Sequence, residues 1–284
     1  MIRLAVRVAR TDAAAALAEL LAFSPAGVEE VDGDDDTLEY VLYGVPGELP
    51  SLHALTACVG DALVAVSSTE IEDDWASRWR SFHKPIEIAG TLYVRPPWHP
   101  PAGERGLTDV VIDPGQAFGT GSHPTTRLCL GLLVDLFRSG EAHGSLLDLG
   151  CGSGVLAIAA AKLGFSPVNA VDHEPESVAA TLENAAANGV VLECSRLDLR
   201  NDELPLAPTM TANLLRPLLV DLAARLREAP ARLIASGLLH DQVDEVARTF
   251  AERHGMRERE RRQDGEWSAL LLEAPGRERI LSPQ

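Results

Sequence analysis

The sequence predicts an α/β protein: a mostly parallel, doubly wound sheet that ends in an antiparallel hairpin, preceded by a small α+β domain of ferredoxin-like layout. Three observations predict it. From about residue 124 onward, strand-length apolar runs alternate with segments of helical periodicity. The run Leu146–Leu149 enters a glycine-rich turn that opens onto an alanine-rich stretch. Before residue 70 the short elements follow the order β-α-β-β-α-β.

Taken in order, residues 2–8 alternate as a strand and residues 12–22, rich in alanine and leucine, read as a helix. Residues 28–31 and 38–43 suggest two strands joined by the turn-prone Asp32-Gly33-Asp34. Pro50 starts a short helix to Cys58, and residues 62–68 alternate again as a strand. Domain boundaries are expected at 1–70, 71–90 and 91–284. The middle piece is a connector in which Trp75, Arg78, Trp79 and Phe82 fall at helical spacings and Pro85 ends the helix. It is a candidate hinge.

In the last piece, helix 125–137 precedes strand 145–149, helix 155–163 and strand 167–171. Helix 175–188 stops at Gly189. Strands 209–213 and 232–235 and a long helix, 240–254, follow. Strands 256–262 and 267–273 flank Gln263-Asp264-Gly265-Glu266 as a hairpin.

At 284 residues and 46% hydrophobic content the chain can bury a core, so wholesale disorder is excluded. No apolar run is long enough to cross a bilayer, and the start lacks the apolar segment of a signal peptide, so a cytoplasmic location is expected. Cys58, Cys129, Cys151 and Cys194 have neither zinc-knuckle nor redox-pair spacing, which predicts reduced thiols and no structural metal. The net charge of -17 disfavours nucleic-acid backbone and suits basic partners. Residues 1–70 hold 12 acidic against 3 basic residues, a candidate docking surface for a lysine-rich protein.

Four segments carry chemistry. In Asp148-Leu149-Gly150-Cys151-Gly152-Ser153-Gly154 the glycines let backbone approach a ligand where a Cβ would clash. A phosphate loop would need Gly-Lys-Ser or Gly-Lys-Thr, and a dinucleotide turn prefers G-x-G-x-x-G; here the spacing is G-x-G-x-G. Asp172, 22 residues after Gly150 at the end of the next strand, can accept hydrogen bonds from both hydroxyls of a ribose. The alternative is a loop aspartate that caps the helix at Pro175. The segment Asp113–Thr126 gathers glycines, Phe118, His123 and threonines just before a helix, with Ser122 or Thr125 as a candidate cap. Asn213, at the end of a fourth strand, offers a neutral carbonyl oxygen to an incoming amine, where a carboxylate could hold a lysine in its protonated form.

Together Asp113–Thr126, Leu146–Gly164, Asp172 and Asn213 resemble the ribosomal protein L11 methyltransferases (PrmA), within the Rossmann-like class I methyltransferases that use S-adenosylmethionine. The resemblance extends to Asp74-Trp75, Trp79 and Pro85 and to Ser236-Gly237-Leu238. It implies that Thr126, Gly150, Asp172 and Asn213 bind the cofactor and that Phe118, Gly119 and Thr120 lie in a loop closing on it. Asp148 and Gly152 of the glycine motif join that set. The N-terminal domain would recognise the ribosomal protein and swing relative to the catalytic one. The implied reaction is in-line transfer of methyl groups to lysine side chains and an N-terminal amine. Asn213 would orient the amine, and His123 is a candidate proton acceptor. The rivals are a lysine methyltransferase of another protein, a small-molecule N-methyltransferase, a nicotinamide-dependent oxidoreductase, and a non-enzymatic adaptor that retains the fold.

Overall fold

The computed structural model describes residues 2–13, 16, 17, 20, 28–32, 36–44, 50, 55, 59–70, 83–114 and 121–275. The chain forms two compact units, Met1–Phe82 and His83–Gln284. The boundary falls inside the expected connector, whose residues 71–82 lie outside the described set.

In the first unit β1 (Ile2–Ala9), β2 (Glu29–Asp32), β3 (Thr37–Gly44) and β4 (Leu63–Glu70) form an antiparallel sheet in the order β2-β3-β1-β4. Alternation puts Leu4, Val6 and Val8 of β1 on the same face as Leu38, Tyr40 and Leu42 of β3. Of the helix expected over 12–22, residues 13, 16, 17 and 20 are α-helical and Asp12 ends a 3-10 turn; of that expected over 50–58, residue 55 is helical and Pro50 is not, and Val59 just beyond it is helical. Ala13, Ala16, Leu20, Leu55 and Val59 close that face. The buried Tyr40 donates its hydroxyl to Ala13 O at 3.1 Å, which satisfies its one polar atom.

The second unit contains a small sheet that the sequence pattern does not reveal. β5 (Ile86–Ile88), β6 (Leu92–Arg95) and β7 (Thr108–Val111) lie in the order β5-β6-β7, so residues 86–88 of the expected connector are strand. Its charged centre is Arg95, whose guanidinium meets Asp109 at 2.7 Å and His99 O at 2.6 Å.

The main sheet has the order β10-β9-β8-β11-β12-β14-β13. Its strands are β8 (Leu146–Leu149), β9 (Val168–Asp172), β10 (Glu193–Arg196), β11 (Thr209–Asn213), β12 (Arg232–Leu239), β13 (Arg257–Asp264) and β14 (Trp267–Glu273). β10, β9, β8, β11 and β12 are parallel, and the β14–β13 hairpin is antiparallel, as the sequence predicts. α1 (Pro124–Arg138), α2 (Val155–Leu163) and α3 (Pro175–Ala187) cover one face, with Leu132, Leu133, Ile158 and Ala185 in its core. α4 (Arg216–Arg225) and α5 (Val243–His254) cover the other, with Leu219, Leu222, Val246 and Phe250. The outermost strand, β13, reads Arg-Glu-Arg-Glu-Arg-Arg from residue 257 and is largely exposed.

An ion cluster holds the C-terminal strands to the end of α1. Glu141 receives Arg259 at 2.9 Å and Arg232 at 3.2 Å. The Arg259 hydrogen bonds, helped by Ser139, hold the Glu141 carboxyl down at about 2 although burial pushes it up. A carboxyl depressed in the folded state stabilises above its ordinary value and loses that contribution as pH falls through its folded value. Denaturant titrations should therefore show stability falling between about pH 4.5 and 2. Glu141→Gln should flatten that slope, because the group that titrates is gone.

Candidate active site

The carboxyl ends of β8, β9, β10 and β11 open onto one cavity of about 430 Å³, within the usual range for small-molecule sites. β8 leads into Gly150, Gly152 and Gly154, all at positive φ. Backbone N–H groups tie this loop to β9: Gly150 and Cys151 donate to Val171 O at 2.8 and 3.1 Å. Gly152 donates to Asp172 Oδ2 at 2.9 Å, and Glu174 donates to Oδ1 at 3.1 Å. Asp172 is thus 7% exposed and fixed by one N–H on each oxygen, with further lone pairs left for a ligand's hydroxyls.

The three glycines differ in their reasons. Gly150 and Gly152 line the cavity. A Cβ on Gly150 would lie 2.5 Å from Leu214 Cδ2, and one on Gly154 would lie 2.8 Å from Thr181 Cγ2. Gly154 is therefore a packing residue under α3. The polar stripe of α3 holds the loop from behind. The Thr181 hydroxyl reaches Gly152 O at 3.0 Å, and Asn184 Nδ2 donates to Ser153 O at 2.9 Å. Asn184 Oδ1 accepts from Asp113 N at 2.9 Å, while Asn188 bonds both Val111 N and Val111 O. One helix face thereby fixes the glycine loop and the start of the Asp113–Thr126 segment together.

On the β11 side, Asn213 Nδ2 donates to Thr125 Oγ1 at 3.2 Å and Thr126 Oγ1 at 3.5 Å, which leaves Oδ1 to accept. Thr126 and Asn213 both line the cavity. The far wall, Leu197 to Arg200, follows β10. Leu197 N donates to Asp172 O at 2.8 Å, and the N–H of Arg200 and the side chain of Asn201 hold the Asp198 carboxyl below its ordinary pKa.

Two expectations are corrected. Asp148 is 1% exposed and does not line the cavity. Strand alternation turns Leu147 and Leu149 toward α4 and α5 and Asp148 toward α2. There it accepts the Thr211 hydroxyl at 2.6 Å, and burial pushes its pKa up to about 6. His123 is the N-cap of α1, the role expected of Ser122 or Thr125, with Pro124 as the first helical residue. Its Nδ1 lies 2.8 Å from Thr125 Oγ1, its ring packs edge-on against Trp267, and burial lowers its pKa. It is not on the cavity wall; the Thr125 hydroxyl stands between it and Asn213. Phe118, Gly119 and Thr120 lie outside the described residues. Of the lining, His173, Ser177, Leu218 and the end of the far wall, Leu199 and Arg200, carry no sequence signal.

The cavity suits a nucleoside with an amino-acid tail. It pairs a carboxylate fixed for hydroxyls with two glycines whose backbone a ligand can approach and an apolar side made by Val155, Leu156 and Leu218. No group of side chains able to hold a metal ion is found among the described residues, and none of their helices is long and apolar enough to cross a membrane.

Comparison with known proteins gives a consistent result. The model of the family described as Ribosomal protein L11 methyltransferase (PrmA) matches residues 51–275. A ribosomal protein L11 methyltransferase of Geobacter metallireducens is 41% identical over 220 residues, 76% of this chain and 72% of that protein. One of Heliobacterium modesticaldum is 39% identical over 210 residues, 72% of this chain; the match spans just 65% of that relative. Among solved structures, the ribosomal protein L11 methylase of Lactobacillus delbrueckii subsp. bulgaricus superposes with a TM-score of 0.60 at 29% identity, covering 68% of this chain and 98% of that one.

Proposed function

The chain belongs to the ribosomal protein L11 methyltransferase (PrmA) family, and on that premise we propose that it moves methyl groups from S-adenosylmethionine to lysine side-chain or N-terminal amines of ribosomal protein L11. The observation that carries the reading is the convergence of Gly150, Gly152, Asp172, Thr126 and Asn213 on one cavity at adjacent strand ends. A nicotinamide enzyme would share the ribose aspartate, but the glycine spacing and the family match favour methyl transfer.

When bound, the cofactor supplies a methyl group already activated as a sulfonium, so no nucleophilic side chain is required. The protein's part is placement and dehydration. Asp172 holds the ribose hydroxyls, and the backbone at Gly150 and Gly152 gives the tail room. Asn213 Oδ1 accepts a hydrogen bond from the incoming amine while its Nδ2 stays tied to the threonine hydroxyls of α1. Leu214 and Leu218 keep water from the approach. A lysine has an ordinary pKa of about 10.4, and desolvation at this apolar rim favours its neutral, reactive form.

Asn213→Asp tests the amine's role. The new carboxylate would stabilise the protonated amine, and each pKa unit so gained cuts the neutral fraction about tenfold at pH 7. The rate–pH profile should move to higher pH, with the deficit shrinking as pH rises; an unshifted profile would remove Asn213 from contact with the amine. For the function itself, purified ribosomal proteins incubated with enzyme and cofactor should show methylated L11 by mass spectrometry. Methylation confined to another protein, or calorimetric binding of NAD without S-adenosylhomocysteine, would overturn the reading. The acidic residues 1–70 support a basic protein partner and disfavour direct nucleic-acid binding.

A further inference from the structure

Two cysteines meet behind the cofactor loop. Cys151, between Gly150 and Gly152, is 6% exposed and lines the cavity. Cys194 sits on β10, half-buried, opposite Ala170 of β9. Their sulfurs are 3.8 Å apart, both thiols free. The Thr181 hydroxyl lies 3.2 Å from Cys151 Sγ and holds it in place. Both positions are anchored to the end of β9: Cys151 N donates to Val171 O, and Leu197, three residues past Cys194, donates to Asp172 O. No third metal-ligating side chain joins the pair among the described residues. The cofactor reading gives neither sulfur a task.

We propose that Cys151 and Cys194 are a modification site, a dithiol that a peroxide converts reversibly to a disulfide and that thereby disables the cofactor cavity. The step balances. The Cys194 thiolate attacks one peroxide oxygen, the O–O bond breaks, and the departing hydroxide takes up a proton as water, leaving a sulfenic acid. Cys151 sulfur attacks that sulfenyl sulfur, the S–O bond breaks, and a second water leaves with the Cys151 proton. Two thiols are oxidised and one peroxide is reduced.

The surroundings favour this order. The hydrogen bond from Cys151 lowers the Cys194 pKa, and the same contact together with burial raises that of Cys151. Cys194 is the more exposed of the two, so it is the sulfur that peroxide reaches first. Cys129, by contrast, is fully buried, and burial pushes it up to about 12.

Closing the bond shortens the 3.8 Å contact by roughly 1.8 Å. That movement falls on the loop between Gly150 and Gly152, on the strand that leads to the Leu197–Arg200 wall, or on both. Misplacement by about 1 Å can cost about a hundredfold in a preorganised site.

The consequence for the cavity rests on the proposed cofactor site; the bond itself does not. The test treats the purified full chain with hydrogen peroxide, then maps thiols and measures S-adenosylhomocysteine binding by calorimetry. Trypsin places Cys129, Cys151 and Cys194 in separate peptides, 128–138, 139–162 and 163–196. The expected result is peptides 139–162 and 163–196 joined, lighter by the two lost hydrogens and separated again by dithiothreitol. Affinity should fall at least about tenfold and recover on reduction. Cys194→Ser should bind as the reduced protein does and resist peroxide; Cys194→Ala serves if the serine variant folds poorly. Thiols that stay free for alkylation, a joined species of undiminished affinity, or a peroxide loss that persists in Cys194→Ser would each overturn the proposal. Reduced protein that binds no S-adenosylhomocysteine would sink the cofactor reading, while the peptide map would still decide the bond.

Discussion

Gly237→Ala should destabilise the protein by roughly 2–5 kcal/mol and weaken cofactor binding with it, although residue 237 does not line the cavity. Gly237 sits at φ +85 where the β12–β14 register shifts. A Cβ there would stand 2.4 Å from Leu214 O and 2.8 Å from Leu214 C. Those are backbone atoms, so the chain itself must move. Leu214 N donates to Ser236 O at 3.0 Å, and that bond fixes the turn immediately after Asn213. The substitution therefore adds left-handed strain, of about 1–2 kcal/mol for a residue with a Cβ, to a steric conflict worth about 1–3 kcal/mol. Chemical denaturation and calorimetry on the same samples check both effects. A fully stable variant with normal binding would show that the Gly237–Leu214 approach is not required. Gly150 presses the same leucine from the other side, but on a mobile side-chain methyl, so Gly150→Ala should cost less stability.

Asp172→Ala should leave the fold largely intact and reduce cofactor affinity by a few kcal/mol. Hydrogen bonds to a charged group contribute about 1.5–3 kcal/mol each, and a ribose offers two hydroxyls. Part of the loss comes from the loop, since Gly152 N and Glu174 N lose their acceptors. Asp172→Asn separates the two contributions: its Oδ1 can still accept one N–H, but its amide cannot accept on both sides. Calorimetry with S-adenosylhomocysteine should rank wild type above Asn above Ala, and equal affinities would remove Asp172 from the ribose role.

Much of the second unit is legible in the sequence because each element there carries its own signal. Strand 209–213 and helix 155–163 are found at their predicted limits, the helix between Gly154 and Gly164, both at positive φ. What escapes does so for physical reasons. β10 is Glu-Cys-Ser-Arg, without apolar alternation, and exists because its backbone pairs with β9. β5 to β7 are three or four residues each among prolines, too short for a period to register. α4, Arg216–Arg225 with Pro217 just inside its start, carries no expectation from the sequence.

The site divides in the same way. Glycine spacing and strand-end position point to Gly150, Asp172 and Asn213, all on the cavity wall, and at Gly150 the positive φ is what calls for glycine. Thr181, Asn184 and Asn188 look like the solvated side of an ordinary helix, and only the fold turns them inward onto loop carbonyls. Asp148 misleads in the opposite direction. A carboxylate beside a glycine motif suggests a ligand, whereas the pleat directs it to the Thr211 hydroxyl.

The alternating charges of β13 bear on the protein's life at high concentration. An outer strand has backbone donors and acceptors that no neighbouring strand takes up, and a second molecule could lie alongside and continue the ladder. Here such a visitor would have to dehydrate a row of guanidinium and carboxylate groups already neutralising one another, Arg259 with Glu273 and Arg261 with Glu258 among them. The sheet that carries the cavity is thus guarded against filament growth on its hairpin side by the residues of the hairpin itself.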